Sequence, residues 1–188
     1  MERSLRAATP ARRRRPGVTG WLLALSGLPG TGKTTLARAL SEATGAVHLR
    51  IDSIEAALSS RGVSFEGARG DTGYVVAYAL ARDVLMRAQS AIVDGVHGWP
   101  EARALQDAAI AGTGARLFTV ELACSDTATH RDRIESRISD LPGLTLPTWD
   151  AVRTRDVTSV PAPDLTLDTA RCTIEQAVDR LQSVCAPL

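Results

Sequence analysis

A single lysine and no asparagine occur among the 188 residues. Without asparagine there is no N-glycosylation sequon, and the Asn-Lys-x-Asp motif by which GTPases recognise guanine cannot be assembled. Aromatic residues make up only 4% of the chain, so the core has to be built from Ala, Leu, Val and Ile. No apolar run approaches the ~20 residues of a membrane span, and no membrane partner is expected. Cys124, Cys172 and Cys185 are odd in number, widely spaced and fit no metal-ligand spacing, which points to reduced thiols and a cytoplasmic setting. Net charge is also small, +1, but unevenly spread. Residues 1–16 hold six arginines and one acid, leaving 16 basic and 20 acidic residues, net −4, in the rest. The Arg12–Arg15 run could touch nucleic acid or a membrane surface. Nothing else in the chain offers such a surface, so residues 1–18 are read as a disordered basic arm before one domain, 19–188, and a nucleic-acid partner is not expected.

What the chain does have is a glycine-rich stretch around that one lysine. Gly27-Leu28-Pro29-Gly30-Thr31-Gly32-Lys33-Thr34 satisfies G-x-x-x-x-G-K-[ST], the phosphate-binding P-loop, and Thr35 follows it. Trp21–Leu25 before it is an apolar run of strand length, and Leu36–Leu40 after it opens a helix. Strand, glycine turn and helix N-terminus together aim backbone N–H groups at phosphate. Lys33 is expected to reach the β/γ-phosphates of ATP and the Thr34 hydroxyl to ligate Mg²⁺. All 21 other basic residues are arginines. The exception falls where a planar guanidinium cannot replace a compact ammonium.

Further along, Val47–Ile51 reads as a second strand running into Asp52, and Ser53–Ser59 as a short helix before a polar loop, 61–71. Thr72 to about Gln89 has helical spacing, Ala91–Val93 is strand three, and Pro100–Ala111 a helix. Arg116–Ala123 is strand four. Ser125-Asp126 opens an arginine-rich helix through about Ser139. A proline-bounded loop and a weak helix, Trp149–Asp156, precede strand five, Leu165–Leu167, and a closing helix, Thr173–Val184. Alternating strands and helices predict an α/β fold, a parallel sheet covered on both faces.

In such sheets ligands sit beyond the carboxyl ends of the strands, which singles out Asp52, then Asp94, His97 and Trp99, then Asp168 and Thr169. Two carboxylates facing a P-loop suit phosphoryl transfer, one to deprotonate an attacking hydroxyl and one to hold Mg²⁺. Helix capping by Asp52 and a plain turn at Asp94-Gly95 are the structural alternatives. Within His130–Arg137 the arginines cannot share one face. Arg137, near the helix end, is the candidate to close over the transferring phosphate, with Arg133 grouped among nucleotide contacts and the others pairing with Asp132 or Glu135. The His-Arg-Asp triplet there lacks the companions of a protein kinase. Tyr74, Tyr78, His97 and Trp99 could line an acceptor pocket, although aromatics at helical spacing also serve as core.

Several stretches carry a resemblance: Gly27–Thr35, Arg50-Ile51-Asp52-Ser53-Ile54-Glu55, Val93-Asp94-Gly95-Val96, Cys124-Ser125-Asp126 with His130-Arg131, Leu141-Pro142-Gly143-Leu144 with Pro147-Thr148-Trp149, and Leu167-Asp168-Thr169. From about Trp21 onward the chain resembles small bacterial P-loop kinases labelled AAA-family ATPases and is more distantly similar to chloramphenicol phosphotransferase. The resemblance implies a nucleoside-monophosphate-kinase-like five-stranded sheet of order 2-3-1-4-5, ATP with Mg²⁺ as donor, an arginine lid after strand four, and Asp52 as base. Arg50, Asp52, Tyr78, His97 and Trp99 are then the acceptor-side candidates. The segment Arg155–Pro161 departs from the acidic-aromatic stretch of such relatives. The function expected is phosphate transfer from ATP to a hydroxyl of a small molecule, a natural product or antibiotic among them. A nucleoside or nucleotide kinase, a polynucleotide 5′-end kinase and a regulatory ATPase acting on a protein partner are the alternatives, and a homodimer is compatible with each.

Overall fold

The computed structural model describes residues 20–65, 70–155 and 162–185. The basic arm expected over 1–18 lies outside them, as do residues 156–161 of the divergent segment and part of the polar loop.

The chain runs β1 (Trp21–Ser26), α1 (Lys33–Thr44), β2 (Val47–Arg50), α2 (Ile51–Ser59), α3 (Thr72–Leu85), β3 (Ala91–Asp94), α4 (Glu101–Ile110), β4 (Arg116–Ala123), α5 (Thr127–Glu135), α6 (Trp149–Arg153), β5 (Leu165–Asp168) and α7 (Ile174–Cys185). The strands form one parallel sheet of order β2-β3-β1-β4-β5, as expected.

The central strand explains the layering. Successive side chains of β1 point to opposite faces, and both faces are apolar. Leu23 and Leu25 join Leu36, Leu40, Ile92, Val120 and Leu181 on one side. Leu22 joins Ala77, Ala81, Leu85 and Val93 on the other. Full burial of each leucine contributes about 1.5–3 kcal/mol, which is how a chain poor in aromatics holds a three-layer sandwich. The register brings Arg50, Asp94 and Leu25 level across β2, β3 and β1, so the loops after these strands open side by side.

The structure corrects several boundaries. α1 starts at Lys33, not Leu36, because Gly32 caps it and the P-loop lysine already belongs to its first turn. β2 stops at Arg50 and α2 begins at once, so Asp52 stands in the first turn of a helix rather than at a strand end. α3 ends at Leu85, four residues early, in a turn where Ala88 takes φ 57. α5 ends at Glu135, which leaves Arg137 beyond the helix. There the chain crosses toward α1 and β2, where Asp140 meets two arginines.

Candidate active site

The loops above β1, β2 and β3 enclose a cleft of about 1610 Å³. Its floor is the P-loop. Gly27 holds φ 131, and a Cβ there would stand 2.2 Å from the Leu122 carbonyl oxygen, so the loop is pressed against β4. Ile134 and His130 of α5 brace it from above, the His130 ring meeting the Pro29 carbonyl at 2.8 Å. Thr31 is buried and donates to Leu28 O at 2.9 Å, tying the turn together. At Gly32 no side chain caps α1, so its first N–H groups are left for a ligand anion. Lys33 Nζ donates to Leu28 O at 2.9 Å. Burial pulls its ammonium down to about 8 despite Asp94 and Asp52 nearby, the condition of a cation waiting for a counter-charge.

Beside it, Thr34 donates to Asp94 Oδ2 at 2.7 Å, and His48 Nε2 approaches the same oxygen at 3.3 Å. Burial works to raise the Asp94 carboxyl. Hydrogen bonds from His48 and Thr34, with Lys33 close by, more than offset it and hold the group below the usual carboxylate range. Asp94 is 3% exposed and ends β3, with its carboxylate turned to Thr34 and His48. Adjacent ligands at the corners of a magnesium octahedron lie about 2.9 Å apart, and the Thr34 and Asp94 oxygens nearly span that edge. Among the described residues no three His, Cys, Asp or Glu gather as a metal group. This donor set suits an ion that keeps waters and phosphate oxygens for its other positions.

The other wall is α2, α3 and the loop after β3. Asp52 caps nothing, since Arg50 is the N-cap residue of α2 and makes no side-chain cap. Its carboxylate faces the cleft between Arg50 Nη2 at 3.6 Å and Arg137 Nη2 at 3.7 Å. Glu55, one turn on, lines the same cleft. Burial and the Asp52 charge push it up to about 7. Trp99 lines the cleft, edge-to-face on Tyr74 with ring centroids 4.4 Å apart.

Tyr78 and His97, expected on the acceptor side, do not line the cleft. Both are buried, and Tyr78 OH meets His97 Nε2 at 2.7 Å behind the wall. Burial drives Tyr78 up and His97 down to about 4, so His97 stays neutral. Here the core role of helical aromatics prevails. Gly27 and Thr31 likewise shape the loop from behind, whereas Gly30, Gly32, Lys33, Thr34 and Thr35 face the cleft. Asp168 is turned away. It accepts from the N–H groups of Ser125 and Ala170 and pairs with Arg171, while Thr169 reaches the cleft and receives Arg133 at 2.9 Å. Arg131 pairs with Glu135 outside, as the divergence of the helix positions requires. Arg133 and Arg137 both line the cleft. Missing from the sequence reading were His48, Glu55, Arg38 and Asp140. For His48 and Glu55 a signal existed, two residues before the end of β2 and one helical turn after Asp52. For Asp140 there was none.

A family model described as an AAA domain matches residues 22–153. Uncharacterised proteins of Mycobacterium tuberculosis and Mycobacterium bovis are 36% identical over 129 residues, 62% of this chain and 25% of theirs, so the chain spans about a quarter of those relatives' length. Among solved structures, a proposed kinase from Chloroflexus aurantiacus superposes with a TM-score of 0.71 at 23% identity, over 90% of this chain and 98% of that one. The APS kinase of Mycobacterium tuberculosis, in complex with AMPPNP and APS, gives 0.65 at 18% identity over 88% and 97%. A gluconokinase from Sinorhizobium meliloti gives 0.59 at 18% over 89% and 94%. The fold is that of P-loop kinases. No described helix is long and apolar enough to cross a membrane.

Proposed function

This chain belongs to the AAA domain family, and we propose that it is an ATP-dependent O-phosphotransferase acting on a hydroxyl of a small molecule, natural products and antibiotics included. The observation that carries the reading is convergence. Residues as far apart in sequence as Lys33, Asp52, Asp94, Arg133 and Arg137 line one cleft, with a phosphate loop on one wall and a carboxylate free of capping duty on the other.

Lys33 and the amides of the loop grip the β- and γ-phosphates. Thr34 and Asp94 hold Mg²⁺, which when bound neutralises charge on those phosphates. Asp52 takes the proton of the acceptor hydroxyl as its oxygen bonds to the γ-phosphorus. The bond from that phosphorus to the bridging oxygen breaks, and ADP leaves. Arg137 and Arg133 supply positive charge where the transferring group is most negative.

The test is γ-labelled ATP with a panel of hydroxylated metabolites, antibiotics and nucleosides. One acceptor or more should gain label. Asp52→Asn should lower that transfer by roughly 10²- to 10⁴-fold, the usual contribution of a general base, with unchanged affinity for Mg·AMPPNP. Full activity in Asp52→Asn would remove Asp52 from the mechanism.

A further inference from the structure

Resting on that reading, we infer that the acceptor carries an oxyanion beside its hydroxyl, and that Asp140 of the lid holds the place of that oxyanion. Asp140 lies in the segment between α5 and α6. Its Oδ2 atom accepts from Arg38 Nη2 of α1 at 2.6 Å and from Arg50 Nη1 at the end of β2 at 2.8 Å. Two guanidiniums converging on one carboxylate oxygen form an anion site, and the occupant comes from a stretch with little else to hold it. No residue from 135 to 148 is buried, and Ile138 is 90% exposed. The lid is therefore held by charge more than by burial.

Arg50 is what makes the tie more than a surface ion pair. It is 8% exposed and its Nε has no hydrogen-bond partner. Its nearest other carboxylate among the described residues is Asp52, at 3.6 Å, beyond hydrogen-bond reach. A buried guanidinium left with one carboxylate at 3.6 Å and no hydrogen bond to it is unfavourable. Lifting Asp140 away therefore leaves a charged vacancy that water fills poorly and an oxyanion fills well. That vacancy adjoins the proposed base, because one end of the Arg50 guanidinium faces Asp140 and the other faces Asp52. A molecule that sets a hydroxyl on Asp52 and a carboxylate or phosphate on Arg50 and Arg38 would use both ends and release the lid in the same step.

The test uses the full chain saturated with Mg·AMPPNP, so that the P-loop is filled, and titrates inorganic phosphate and malonate at constant ionic strength. Wild type, Asp140→Asn and Asp140→Asn with Arg38→Ala are compared by calorimetry. Asp140 is half exposed, so replacing it leaves the core untouched. Removing the built-in competitor should tighten anion binding roughly tenfold or more, since apparent affinity scales with the open fraction, and Arg38→Ala should cancel the gain. Preference for phosphate over malonate, or the reverse, identifies the anion. Equal affinities in wild type and Asp140→Asn, or a gain that survives Arg38→Ala, would overturn the inference. Nucleotide binding read in the same samples keeps the two proposals apart. Normal Mg·AMPPNP affinity without the anion gain defeats only this one, whereas absent nucleotide binding defeats the functional reading.

Discussion

The two walls of the cleft are made in opposite ways. The phosphate wall is buried and closely packed: a Cβ at Gly27 would strike the Leu122 carbonyl, His130 braces Pro29, and Asp94 is 3% exposed. The proposed acceptor wall and lid meet instead at a half-exposed carboxylate, Asp140. Their ties join Arg50 and Arg38 to a residue 90 and 102 positions away, through a segment with no buried residue. A triphosphate is the same in every reaction of this kind, so its seat can be built in advance. An acceptor has to enter and leave, and a tie made by charge can be handed over to an incoming anion.

Substitutions separate the two walls. Lys33→Ala removes the only ammonium of the phosphate seat and should cut transfer by about 10²- to 10³-fold, the loss seen when one preorganised charge donor goes. Lys33→Arg should rescue little, because the fork does not fit the loop; steady-state kinetics of both variants decide. Next come Gly27→Ala and Gly143→Ala. Both glycines have positive φ, 131 and 75, but a Cβ at Gly27 meets the Leu122 carbonyl oxygen at 2.2 Å while at Gly143 nothing lies within 4 Å. The lid variant should cost about 1 kcal/mol of backbone strain. The floor variant adds a clash and should cost about 3 kcal/mol, read as the difference in urea midpoints. Equal costs would mean that the floor is no more tightly packed than the lid.

The smallest effect belongs to Glu55. Its carboxyl is pushed up to about 7 by burial and by Asp52, from an ordinary 4.5. The folded protein therefore keeps this proton longer than the unfolded chain, and stability contributed below pH 4.5 is lost as pH rises through 7. The group is partly solvated, so the loss should be about 1 kcal/mol. Urea unfolding at pH 5 and 7.5 should show it in wild type and not in Glu55→Gln.

The same division decided what could be read from the sequence. The P-loop, the succession of strands and helices and the position of Asp94 were legible because strand, turn and helix follow one another within a dozen residues, and a strand end predicts its own position; the sheet order came from the family resemblance. Thr34 needs only to follow Lys33 to face Asp94. Asp140 was invisible because no local pattern joins it to Arg50. Arg137 was placed in a helix that ends two residues sooner, since helical spacing does not register a distant ion pair drawing the chain away. His97 was offered to the acceptor because it follows a strand end, and Tyr78 as an aromatic on the neighbouring helix; packing turned both inward, where Tyr78 OH meets His97 Nε2.

Because Lys33 is the only lysine in the chain, protein labelled with ¹³C-lysine gives one ε-carbon resonance, and its pH titration reports on the phosphate seat alone. The midpoint is expected near 8 in the free protein, from desolvation that Asp94 and Asp52 only partly offset, and above 10 when Mg·AMPPNP adds its negative charge. A midpoint at the ordinary 10.5, unmoved by nucleotide, would contradict that expectation.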